Sequence, residues 1–105
     1  MISRDKVPAL QLPEEEVRVD AFDDTVLVRG LSFGQAMAFS NRGIREDNSH
    51  VADLLTDTVL AGDGLPLYAA HEWEAFGNAH PDEMVDLYKI ARRLSGLDEA
   101  DSEKK

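Results

Sequence analysis

The sequence predicts a mostly helical α+β domain: an N-terminal β-hairpin at about residues 17–29, packed on about four helices at about 33–45, 50–61, 70–76 and 81–95. Three observations carry this. Apolar and polar residues alternate between Val17 and Arg29, apolar residues recur at helical spacing after Ser32, and glycine or proline punctuates the intervals between those helical stretches. A chain of 105 residues holds one domain and one modest core, so all the elements must share it.

Met1 to Pro13 contains two prolines and no sustained period, and Glu14-Glu15-Glu16 reads as a solvated run. Residues 1–16 are therefore expected to form a flexible arm ahead of a single domain spanning 17–97. In "VRVDAFDDTVLVRG", Val17, Val19 and Ala21 point one way and Arg18 and Asp20 the other. Val26 and Val28 then share a face opposite Leu27 and Arg29, across a turn at Phe22-Asp23-Asp24. A hairpin alone is marginal, so it must lie on the helices.

Ser32 is placed to cap the first helix through its hydroxyl. At 100° per residue Phe33, Ala36, Met37, Ser40 and Ile44 form one stripe, with Phe39 well off it. Asn48 and Ser49 offer caps for the next helix, "HVADLLTDTVLA", whose apolar residues surround much of the wheel and mark it as central. "HEWEAFG" is a short helix with Trp73 and Phe76 on one face, ending at Gly77. The last helix has Pro81 at its first position, Asp82 and Glu83 at its positive end, Arg92 and Arg93 at its negative end, and Gly96 as its stop. Its stripe is Met84, Leu87, Tyr88, Ala91 and Leu94, with Ile90 at the margin and Val85 off it. The polar residues 98–105 are expected to form a disordered charged tail.

The formal charge is -10, and residues 51–105 carry twelve acids against five bases. An acidic chain without a basic stripe repels phosphate, so neither nucleic acid nor an anionic membrane is an expected partner. Without cysteine, the chain cannot form disulfides, iron–sulfur clusters or cysteine zinc sites. No apolar run approaches a membrane span, and the N-terminal residues lack a signal-peptide pattern, so a cytoplasmic location is expected.

The loop "LAGDGLPLY" invites a ligand reading, which its chemistry does not support. Asp57 and Asp63 stand six apart with apolar residues between them, so their oxygens do not converge on calcium. No basic residue lies between Arg45 and Lys89 to hold a phosphate. Gly62 instead reads as the end of the central helix, Asp63-Gly64 as a chain reversal and Pro66 as a stiffener of the exit. "HEWEA" has alanine where a zinc-binding helix needs its second histidine, and His50, His71 and His80 read as surface or helix-start residues. Glu72 and Glu74 face different ways, and no nucleophile elbow occurs, so no enzyme and no cofactor is expected. The aromatic and off-stripe residues Phe39, Trp73, Phe76 and Tyr88 remain as candidate partner anchors, with closure of the core as the competing role for each.

The ordered features "TVLVRGLSFGQAMAF", "GDGLPLY", "HEWEAFG" and "DEMVDLYKIARRLSGL" resemble, over residues 17–97, the tail assembly chaperones of long-tailed bacteriophages. In that family a helix runs into a loop of the form Asp-x-x-Gly-x-Pro-Leu-aromatic, then a short acidic helix and a final helix ending Arg-Leu-Asn/Ser-Gly-Leu. Asp63, Gly64, Pro66, Leu67 and Tyr68 match the loop with a shorter aspartate-to-glycine spacing, and Arg93 to Leu97 match the end. The resemblance implies a non-enzymatic protein that coats and solubilises the tape measure protein and helps recruit tail tube subunits. Two other readings stay open from sequence: another small tail or head–tail connector component, and an acidic inhibitor or DNA mimic.

Overall fold

In the computed structural model, which describes residues 11–43 and 49–97, two long strands and a short third one form an antiparallel sheet carrying four helices. The chain runs β1 (Glu14–Val19), a 3-10 turn (Asp20–Phe22), β2 (Asp24–Arg29), α1 (Phe33–Arg42), α2 (Ser49–Thr58), β3 (Val59–Leu60), α3 (Ala70–Ala79) and α4 (Pro81–Leu94). The expectations for Met1–Leu10, for Ile44–Asn48 and for the tail at 98–105 lie outside the described residues.

The α+β architecture and its hairpin are as the sequence predicts, with three boundary corrections. Glu14-Glu15-Glu16 belongs to β1 rather than to an arm, because Glu14 pairs with Arg29 in register and their side chains meet at 3.0 Å. The central helix stops at Thr58, whose buried hydroxyl donates to Leu54 O at 2.8 Å. Val59 and Leu60 leave the helix to pair with Val28 and Leu27 as β3, so Gly62 is not a helix cap. α3 continues through Gly77 to Ala79, since a glycine without left-handed backbone does not end a helix by itself.

Opposed residues of antiparallel strands share a face, so Val17, Val19, Val26, Val28 and Val59 lie together on one side of the sheet. Val19, Val26, Val28 and Val59 are buried there with Leu54, Leu55, Trp73, Leu87 and Ala91 from the helices. β1 is an edge: among the described residues it pairs with β2 alone.

α4 runs along β2 and is fastened near both ends. At its start Glu83 Oε2 accepts from the Ala21 backbone N–H at 3.1 Å. At its end Ser95 Oγ accepts from Leu31 N–H at 2.9 Å, and Arg93 meets Glu15 at 2.9 Å. Its C-terminus closes as expected at Gly96, which has φ 71: Leu97 N–H donates to Arg92 O and Gly96 N–H to Arg93 O, while Leu97 is buried. Between these fastenings Gly30 lies so close to α4 that a Cβ there would collide with the Leu94 carbonyl oxygen.

α1 begins with a reciprocal cap: Ser32 Oγ accepts from Gln35 N–H at 3.2 Å, and Gln35 Oε1 accepts from Ser32 N–H at 3.1 Å. Phe33, Met37 and Ser40 of the predicted stripe face away from the core, while its Ala36 turns inward. Phe33 is 82% exposed and Met37 48%, whereas Phe39 is 7% exposed and joins the core, with the Arg42 guanidinium 5.7 Å from its ring centre. Helical projection finds an apolar stripe but not which side the rest of the protein occupies, and here Phe39 and the half-buried Ala36 occupy that side.

Arg42 also acts on Asp57 of α2. Partial burial pushes the Asp57 carboxyl above its ordinary range; Arg42 pulls it down and Asp53 pushes it up again. A carboxyl with a raised folded-state pKa loses stability as pH rises from the ordinary carboxylate value through the raised one. Asp57→Asn removes that loss, so its melting temperature should exceed the parent's slightly at about pH 7 and match it at about pH 3. Gly30→Ala should cost about 1–3 kcal/mol in urea unfolding, as α4 must shift to admit the methyl; an unchanged midpoint would contradict the close approach.

Candidate functional site

The loop that drew attention in the sequence is the tip of a small hairpin. Ala61 N–H donates to Leu65 O and Leu67 N–H to Val59 O, so residues 59–61 pair with 65–67 across the three-residue turn Gly62-Asp63-Gly64. Gly64 N–H donates to Ala61 O and Gly64 sits at φ 84, the left-handed third position that such turns require. The Asp63 carboxylate accepts from Leu65 N–H at 3.0 Å, which braces the turn and occupies one of its oxygens. Pro66 forms the bridge to Leu60 without needing an N–H of its own. This arrangement reverses the chain and delivers Leu67 and Tyr68 to the core.

Of the four candidate anchors, three are buried. Phe39 lies under α1, and Trp73 and Phe76 sit in an aromatic cluster that joins the hairpin, the loop and α3. Trp73 is edge-on to Tyr68 at 5.0 Å and to Phe76 at 5.2 Å, and Phe76 stacks at 5.3 Å on Phe22 from the 3-10 turn. Trp73 is wholly inaccessible, and its indole N–H has no hydrogen-bond partner among the described residues. These three residues therefore cannot meet a partner without unpacking the core. Tyr88 alone is half-buried, edge-on to the His50 ring at 5.8 Å, with the Arg92 guanidinium 5.6 Å from its ring centre. His50, expected at a surface or helix start, does start α2 but is buried. His80 lies against Phe76 with Nδ1 3.6 Å from Glu83.

Two apolar openings take the place of those anchors. One is the outward side of α1, where Phe33 and Met37 stand one turn apart within Gly30–Asn41, a stretch without a single charged residue. The other is an open groove of about 810 Å³ between α2, α3 and α4. Val51, Gly77, Met84 and Val85 supply its apolar wall, Tyr88 its floor, and Glu74, Lys89 and Arg92 its charges. Val85, off the predicted stripe of α4, is 48% exposed at this groove, and that off-stripe position was the sequence signal for it.

No group of three or more His, Asp and Glu side chains able to hold a metal lies among the described residues. No helix there is long and apolar enough to cross a membrane. The arrangement offers surfaces for apolar contact with charged margins.

Gly64→Val places a β-branched residue at positive φ and should cost about 1–2 kcal/mol or more, read as a lower urea midpoint. Gly62→Ala, where φ is not positive and no atom lies within 4 Å of the added methyl, should be nearly neutral. Compared with protein-family models, with curated proteins and with solved structures, the chain matches none, so any function must be argued from its own residues.

Proposed function

We propose that this protein is a tail assembly chaperone of a long-tailed phage or prophage, acting without catalysis in the bacterial cytoplasm. It binds the tape measure protein, keeps it soluble and helps bring tail tube subunits to it. The observation that carries this reading is the outward side of α1: Phe33 at 82% exposure and Met37 at 48%, in an uncharged stretch of a chain with formal charge -10. Large apolar side chains held out on a capped helix lose free energy in water unless something covers them, and exposed apolar surface with a polar margin marks interaction sites. A long helical client with apolar stripes is suited to such a surface, and the surrounding acids keep the complex soluble. The ordered motifs from Val17 to Leu97 support the same reading.

Co-expression with the tape measure protein encoded beside it should move that protein from the pellet to the supernatant. The double variant Phe33→Ser/Met37→Ser should keep the parent's folding stability within about 0.5 kcal/mol, because both side chains are exposed, and should lose most of this effect. A tape measure protein equally insoluble with and without the chaperone would refute the function. Finding the protein at stoichiometric levels in purified virions by mass spectrometry would favour a tail component instead.

A further inference from the structure

We infer that the groove between α2, α3 and α4 receives an amphipathic α-helix of a partner, whose apolar stripe lies on Met84 and Val85 and whose flank carries carboxylates facing Lys89 and Arg92. This goes beyond the chaperone reading by adding a second contact, apart from the outward side of α1, and it rests on that reading for the client's identity.

The shape of the groove selects a helix. All three walls are helices with no strand edge among them, so they offer no ladder to an extended peptide. A strand bound there would leave its own amides unpaired, whereas a helix brings its hydrogen bonds with it. The exposed side of α4 presents two parallel rows at four-residue spacing, Pro81–Val85–Lys89 and Met84–Tyr88–Arg92, and the furrow between such rows accepts the ridge of another helix.

Charge gives the occupant its polarity. Arg18, Arg29 and Arg93 are each paired with a carboxylate. Arg92 instead donates to Tyr88 Oη and Leu97 O, and Lys89 has no carboxylate partner among the described residues. Two cations that pair with no carboxylate among the described residues complement an acidic flank, and Glu74 across the groove sets the opposite sign on the other wall.

Gly77 makes the furrow. A Cβ there would stand 2.8 Å from Met84 Sδ, so the missing side chain is what lets Met84 lie down against α3. Methionine's flexible thioether then adapts the wall to an irregular apolar stripe. Gly77→Leu fills this space while improving helix propensity, which separates loss of the groove from loss of the fold.

The test uses two fluorescent helical peptides of about 20 residues, long enough to be helical in isolation, with one shared Leu/Ala stripe flanked in one by Glu and in the other by Lys. In low salt the Glu peptide should bind at least about ten-fold more tightly than the Lys peptide. Lys89→Glu should narrow or invert that ratio, and Gly77→Leu should weaken both peptides by about ten-fold or more with an unchanged or raised melting temperature. Equal affinity for the two peptides, no binding of either, or full binding by Gly77→Leu would each overturn the groove assignment. Because neither peptide is the tape measure protein, the two readings fail separately. Peptide binding without client solubilisation removes the chaperone function and leaves the groove. Solubilisation that survives Gly77→Leu alongside absent peptide binding does the reverse.

Discussion

The close approach of β2 and α4 at Gly30 is the constraint on which the rest of the fold depends. With no side chain at Gly30, the end of the strand meets the Leu94 carbonyl directly, and Ser95 and Leu31 close the junction with a hydrogen bond. Fastened there, and by Glu83 to the 3-10 turn at its other end, α4 has one side committed to the sheet through Leu87 and Ala91. The adjoining flank, with Met84 and Tyr88, is thereby turned toward α2 and α3. The groove, its cations and Val85 are consequences of that commitment rather than separate inventions of the sequence.

A second junction holds the parts that α4 does not. The cluster of Phe22, Tyr68, Trp73 and Phe76 gathers the turn of the first hairpin, the exit of the second and α3 around one indole. Aromatic pairs at edge-on geometry add about 0.5–1.5 kcal/mol each beyond burial, enough to fix a helix as short as α3. The Trp73 N–H, without a partner among the described residues, sets a cost of about 1–3 kcal/mol against this gain. Apolar burial on this scale outweighs one orphaned donor, which is why the position tolerates tryptophan.

The fold class was legible because its strongest signals are local. Alternation fixes the faces of β2 whatever lies beside it, and Pro81, Asp82, Glu83 and Gly96 delimit α4 through caps and dipole. What failed to show was set by distant partners. Glu14-Glu15-Glu16 forms strand because β2 offers a register and Arg29 a counter-charge, neither visible in a run of acids. Val59 and Leu60 continue a helical period until Val28 and Leu27 claim them for the sheet. The candidate site suffered the same way: aromatic identity was plain, but exposure depends on what packs opposite. Phe39, Trp73 and Phe76 went inward, while Phe33, Met37 and Val85 stayed out.

The edge of the sheet has a consequence for how the chain meets other strands. Among the described residues β1 pairs on one side alone, and an unpaired strand edge is the usual invitation for another strand to add itself. Three consecutive glutamates stand at its entrance, and a growing sheet would have to stack their charges at close strand spacing. The same acids that looked like an unstructured lead-in thus oppose the addition of another strand at this edge. Contact with helices stays open to it, and contact with strands carries an electrostatic toll.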